Sequence, residues 1–147
     1  DFIDKNDNNL IDLGSGAGLP GIVLAILMKA KNPLFKVIFY EKSFHKSNFL
    51  RDMSKKFNLN SEIHQKNIFE ESNLQPDIII ARAFKPLEII LKLIHKNAKN
   101  WKKIFIFLGK SGKTELLQAS KSWDIKYKQR VSITSSDSKI LLVDAKK

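Results

Sequence analysis

Gly14, Gly16, Gly18 and Gly21, four of the six glycines in this chain, fall within eight residues. A short apolar run, Leu10-Ile11-Asp12-Leu13, enters the loop they make, and a longer one, Ile22-Val23-Leu24-Ala25-Ile26-Leu27-Met28, leaves it. The pattern reads as a strand, a tight turn and a helix. Glycines at this spacing admit left-handed backbone and let a ligand approach the main chain, because no side chains hold it away.

The alternation continues down the chain. Asn9 to Leu13 is expected as a strand and Pro20 to Ala30 as its helix, broken by Asn32-Pro33. Val37 to Tyr40 is β-branched and aromatic, hence a second strand. Phe44, Phe49, Leu50, Met53 and Phe57 recur near helical period and predict a helix over 44–57 with lysines on its other faces. Glu62 to His64 reads as a weak third strand, and Asp77 to Ala83 as a fourth, continuously apolar as a strand covered on both faces should be. Pro86 to Lys96 returns to helical spacing, Ile104 to Leu108 is a fifth strand, and Thr114 to Ser122 a further helix. Ile125 to Ile133 and Lys139 to Asp144 close the chain as two strands joined by the polar turn Thr134 to Ser138, a link short enough for antiparallel neighbours. The fold class is α/β: a doubly wound, mostly parallel, seven-stranded, Rossmann-like sheet with an antiparallel C-terminal hairpin.

A chain of 147 residues is expected to form one domain over 1–147. With no cysteine, disulfide and thiolate-metal chemistry are excluded; the three histidines (His45, His64, His95) lack the spacing of a zinc motif, so no metal is expected. No apolar run approaches the ~20 residues of a membrane span and no signal peptide is visible, so a soluble, cytoplasmic protein without membrane partners is expected. The net charge of +11 points to a polyanionic partner, most simply nucleic acid. Composition offers a competing account, since only three of the 26 basic residues are arginine, as in lysine-enriched AT-rich genomes.

The dinucleotide fingerprint needs glycine at the first, third and sixth loop positions, and the sixth is Leu19. Gly14-x-Gly16-x-Gly18 instead fits the looser turn used for S-adenosylmethionine, which carries no pyrophosphate to seat on the helix N-terminus. Glu41, ending the second strand, is placed to accept hydrogen bonds from two ribose hydroxyls, and Asn67 falls where adenine would lie. Gly109-Lys110-Ser111-Gly112-Lys113-Thr114 imitates a phosphate-binding P-loop, but the glycine required five residues before Gly112 is Phe107. Nucleotide hydrolysis is therefore excluded as a first reading.

The segments 11–22 and Ala81-Arg82-Ala83-Phe84 carry a resemblance to the RsmG (GidB) family, bacterial enzymes that methylate N7 of a guanine in 16S ribosomal RNA. The first, Asp-x-Gly-Ser-Gly-Ala-Gly-x-Pro-Gly, is close to a family signature; the second differs from the family's Ser-Arg-Ala-Phe by one small substitution. The resemblance implies a class I S-adenosylmethionine-dependent methyltransferase fold with that molecule as cofactor. Asp12, Gly14, Gly16, Gly18, Leu19, Glu41, Asn67, Ile68, Phe69 and Arg82 would then form the cofactor site. Arg82, Lys110 and Lys139 would act on the substrate, 16S rRNA or the small ribosomal subunit, with the protein working as a monomer. Three departures stand out. The chain opens almost directly on its first strand, without the family's N-terminal helical segment, so a fragment is expected. Phe69 replaces an acidic residue, and the usual Leu-Lys-Gly reads Leu108-Gly109-Lys110.

Guanine N7 has a lone pair and no proton to lose, so its methylation needs no general base. That agrees with a sequence offering no catalytic histidine, cysteine or paired carboxylates around the glycine turn. Two alternatives remain at this level. One is a methyltransferase of the same fold acting on a small molecule or protein, and the other a non-catalytic RNA-binding domain. For Arg82 the competing role is a structural ion pair with Asp77 or Glu88.

Overall fold

The computed structural model describes residues 3–133 and 135–146. Thr134 of the predicted turn and the ends of the predicted domain lie outside the described residues. Those residues form seven strands and four helices: β1 (Asn9–Leu13), α1 (Gly21–Lys31), β2 (Lys36–Tyr40), α2 (Phe44–Phe57), β3 (Ser61–His64), β4 (Ile78–Arg82), α3 (Leu87–Asn97), β5 (Lys103–Leu108), α4 (Gly112–Ala119), β6 (Asp124–Val131) and β7 (Lys139–Lys146). A single 3-10 turn, Ile68–Glu70, follows β3.

One sheet runs in the order β3-β2-β1-β4-β5-β7-β6. The first five of these pair in parallel, whereas β7 lies antiparallel to both β5 and β6. The hairpin therefore inserts its second strand against β5 and leaves β6 as the edge. Because β1 pairs with β2 on one side and β4 on the other, the winding reverses between β1 and β4, and ligands of open α/β sheets bind at such a point.

The two-residue period of the strands sorts side chains between two cores. Leu10, Val37, Phe39, Ile78, Ile80 and Phe105 pack under α1 and α2; Ile11, Leu13, Ile79, Ala81, Ile104 and Ile106 pack under α3 and α4. Asp12 follows the same alternation and is carried into the α1 layer. At the opposite end of the strands, Asp77 accepts from the Asn8 N–H at 2.6 Å and pairs with Lys102 at 2.8 Å, tying the starts of β1, β4 and β5 together.

Most predicted boundaries are met within two residues, with one exception of substance. Helix α4 begins and ends earlier than its apolar spacing suggested: Gly112 packs on the Leu108 side chain, and Trp123 turns inward to close the helix on the Ala119 carbonyl. On α2, whose bounds match the prediction, the apolar spacing does not coincide with the buried face. Leu50 is buried and Met53 packs partly buried against the core, but Phe44, Phe49 and Phe57 are exposed, since the helix lies over the narrow β2–β3 end of the sheet.

Candidate functional site

The glycine turn sits at the reversal point, at the C-terminal ends of β1 and β4. Gly14, Gly16 and Gly18 adopt φ of 67°, 58° and 82°, the left-handed region that L side chains rarely enter. At Gly14 a side chain would also strike the ring of Phe84, and at Gly18 it would strike Ile22 and Leu50. The turn is held from beneath by Ser15, whose hydroxyl donates to the Asp12 carbonyl at 2.9 Å and whose N–H donates to the Tyr40 carbonyl at 3.1 Å.

A cavity of about 660 Å³ opens over this turn, in the usual range for a small-molecule site. Of the residues singled out from sequence, Gly14, Gly16, Leu19, Glu41, Asn67, Ile68, Phe69 and Arg82 line it. Glu41 is buried with one oxygen accepting from the Gly16 N–H at 2.9 Å and the other from the Ser43 N–H at 2.8 Å. Two N–H donors fix its carboxylate at the rim, and each oxygen keeps a free lone pair. Asn67 has a structural role there. Its side-chain oxygen accepts from the Phe69 N–H and its nitrogen donates to Glu70, capping the 3-10 turn that presents Ile68 and Phe69.

Asp12 and Gly18 do not line the cavity. The Asp12 carboxyl lies buried beneath the start of α1, so close to Gly21 that no side chain fits there, and its Oδ2 has no hydrogen-bond partner. Burial pushes its pKa up to about 7, with the Glu41 charge adding to the rise and the Gly21 N–H opposing it.

Sequence reasoning gave no role to Tyr40, Phe84 or Lys85, which also line the cavity. Phe84 is placed by a left-handed residue after β4, Ala83 at φ 48°, and stacks on Phe69 with ring centroids 5.9 Å apart. Tyr40 stacks on His64 at 4.9 Å, and burial, aided by the charges of Glu71 and Glu62, pushes its hydroxyl up to about 12. Phe84 belongs to the segment that carried the family resemblance, so a signal existed; for Tyr40, the last residue of β2, strand-end position was the signal.

A second cavity of about 590 Å³ adjoins the first along the sheet edge and is lined by Leu108, Gly109, Ser111 and Lys139 among others. Arg82, Ala83 and Lys85 line both. Arg82 forms no ion pair among the described residues; Asp77 is taken by Lys102 and Glu88 by Lys92, which removes the structural alternative. Lys139 thus shares a cavity with Arg82, whereas Lys110 does not. It lies on the far side of Gly109, in a third cavity that Lys139 also borders. Among the described residues no cluster of His, Asp and Glu is arranged to hold a metal ion, and no helix is long and apolar enough to cross a membrane.

Solved structures share this architecture. A protein from Pyrococcus horikoshii (PH0226) superposes with a TM-score of 0.73 at 14% identity, covering 97% of this chain and 84% of that one. A structure titled as a SAM-dependent methyltransferase from Aquifex aeolicus gives 0.68 at 14%, covering 93% and 81%, and one titled as a putative rRNA methylase from Clostridium thermocellum gives 0.66 at 11%, covering 95% and 87%. Sheet order, terminal hairpin and the glycine-turn cavity define a Rossmann-like fold of the class I S-adenosylmethionine-dependent methyltransferase type.

A family profile described as rRNA small subunit methyltransferase G (GidB) matches residues 1–143. The ribosomal RNA small subunit methyltransferase G of Pelagibacter ubique is 47% identical over 141 residues, covering 96% of this chain and 66% of the relative. That of Rickettsia felis is 37% identical over 142 residues, covering 97% and 70%. The chain belongs to the rRNA small subunit methyltransferase G family and spans about two thirds of the length of these relatives.

Proposed function

We propose that this protein transfers a methyl group from S-adenosylmethionine to N7 of a guanine in 16S ribosomal RNA, in the cytoplasm and as a monomer. The observation that carries this reading is that Arg82 lines both the glycine-turn cavity and the basic cavity beside it, so donor and acceptor sites meet at one side chain.

The first cavity fits the donor chemically. The open turn at Gly14 and Gly16 accepts close approach, the Glu41 carboxylate offers lone pairs to ribose hydroxyls, and Ile68, Phe69 and Leu19 give apolar surface for a purine. When bound, S-adenosylmethionine supplies a methyl carbon on a sulfonium, already activated toward a lone pair. The chain need not remove a proton from guanine N7 and offers no base aimed at one. Its residues align the acceptor instead: the Arg82 guanidinium can donate to guanine O6 or to an adjacent phosphate, and Lys85 and Lys139 add positive charge along the same wall. Such alignment can contribute as much as about 7–11 kcal/mol to lowering a barrier.

The test is Arg82→Ala with 16S rRNA as acceptor and mass mapping of methylated guanine. Loss of one guanidinium contact should lower kcat/KM about ten- to a hundredfold, with donor affinity within about twofold of wild type. Wild-type turnover in this variant would reject the role, and product methylated elsewhere than guanine N7 would reject the chemistry.

A further inference from the structure

Beyond the two cavities that meet at Arg82 lies a third, of about 590 Å³, where the end of β5, the start of α4 and the β6–β7 hairpin converge. Its lining includes Lys110, Lys113, Lys139, Tyr127, Gln129 and a single carboxylate, Asp137. It contains most of the loop that imitated a P-loop in the sequence. That resemblance explained nothing, yet it left two lysines at one mouth.

The hairpin register decides what faces them. Val131 pairs with Lys139, Gln129 with Leu141 and Tyr127 with Val143, and Leu141 and Val143 belong to the core on the α3–α4 side. Tyr127 and Gln129 therefore project toward the side of Lys139 and α4, while Lys126, Lys128 and Arg130 project from the opposite face. Tyr127 is 46% exposed, and among the described residues its ring stacks on nothing and its hydroxyl has no partner. An exposed aromatic in a basic cavity is a platform for a base.

The lysines are equally uncommitted. Elsewhere Lys36, Lys66, Lys92, Lys102 and Lys103 are paired with carboxylates. Among the described residues Lys110, Lys113 and Lys139 form no ion pair, with Asp137 or any other acid. The cavity is open at Gly109, where an added β-carbon would meet no atom within 4 Å.

The three cavities are contiguous. Arg82 and Lys85 are common to the first and second, and Gly109 and Lys139 to the second and third. From β4 to β6 is three strand spacings, about 15 Å, room for a few nucleotides of single strand beyond the one at Arg82.

We infer that the third cavity holds a nucleotide flanking the target guanine, its phosphate against Lys110 and Lys113 and its base on the face of Tyr127. This rests on the function proposed above and extends it: the substrate is read as an unpaired strand running outward along the sheet edge, not as a single flipped base. Splayed single-stranded bases stack on aromatic side chains, and their backbone follows basic grooves.

The experiment measures binding of a short guanine-containing single-stranded RNA by fluorescence anisotropy across a salt series, with S-adenosylhomocysteine present. Tyr127→Ala should weaken binding about five- to a hundredfold, whereas Tyr127→Phe, which keeps the ring, should stay within about twofold of wild type. Lys113→Ala should reduce the slope of log affinity against log salt by about 0.7, and Lys126→Ala, on the opposite face, should leave it unchanged. Affinity for S-adenosylhomocysteine, measured separately, should hold in every variant.

Equal affinities for Tyr127→Ala and Tyr127→Phe would overturn the stacking. Equal slopes for Lys113→Ala and Lys126→Ala would overturn the phosphate contact. If wild type binds neither RNA nor S-adenosylhomocysteine, the proposed function itself fails and this inference falls with it.

Discussion

Replacing Asp12 by Asn isolates the effect of a buried carboxyl beneath the cofactor turn. Asp12 is 1% exposed, its Oδ2 has no hydrogen-bond partner, and burial raises its pKa from the ordinary 3.8 to about 7. Between those two values the folded protein keeps a proton that the unfolded chain has released. Stability from this group is therefore full below pH 3.8 and falls as pH rises, levelling off above about 7. At about 1.4 kcal/mol per pH unit, the interval corresponds to a loss of the order of 4 kcal/mol. Asparagine keeps the shape and cannot ionise, so Asp12→Asn escapes that loss. The measurement is urea unfolding at pH 4 and pH 8, followed through Trp101 and Trp123, with equal m-values required of both proteins. The difference between variant and wild type should shift in favour of the variant by several kcal/mol from pH 4 to pH 8. Any constant cost of the new amide cancels in that comparison. A difference that is the same at both pH values would refute the reasoning, because Asp12 would then be no harder to ionise folded than unfolded.

Two further substitutions probe the ends of the strands. Gly14→Ala places a side chain on left-handed backbone and against the Phe84 ring; it should destabilise the protein by about 1–3 kcal/mol and weaken donor binding more than tenfold by calorimetry, and wild-type values for both would show that the turn tolerates a side chain. Asp77→Ala removes the acceptor of the Asn8 N–H and leaves Lys102 only the Asn6 carbonyl and the more distant Asp7, and should cost about 1–3 kcal/mol at pH 7. Burial alone would raise the Asp77 pKa, but Lys102 and the N–H groups of Asn8 and Asn9 together hold it below 3.8, so its contribution is present above that value and lost as pH falls through the lowered one. A deficit in Asp77→Ala that persisted in strong acid would contradict this.

How far the sequence revealed the molecule depended on the kind of signal each residue carried. Strands β1, β2, β4 and β5 announced themselves as apolar runs because both faces of the central sheet are covered, and the short turn of the hairpin dictated antiparallel pairing. On α2, periodicity marked an apolar face without saying how wide a sheet lies beneath it. Phe44, Phe49 and Phe57 recur at helical spacing and still point outward.

Within the site, Gly14, Gly16, Glu41 and Arg82 were legible because strand ends and glycine spacing fix their positions. Asn67 was legible in place though not in role, since capping of the 3-10 turn depends on side-chain geometry. Asp12 sits in the motif yet under the turn, where strand alternation carries it. Lys110 and Lys139 were read as one rim beside Arg82, but Lys110 falls beyond Gly109, outside the cavity that Arg82 and Lys139 share. No linear pattern shows on which side of a loop a side chain falls.

The account stands on the cavity above the Gly14–Gly18 turn as the seat of a sulfonium methyl donor. Calorimetric titration of the protein with S-adenosylmethionine tests it most directly. Saturable one-to-one binding, lost in Gly14→Ala and kept in Arg82→Ala, is the expected result. No heat of binding with the folded wild-type protein, or binding indifferent to Gly14→Ala, would contradict it.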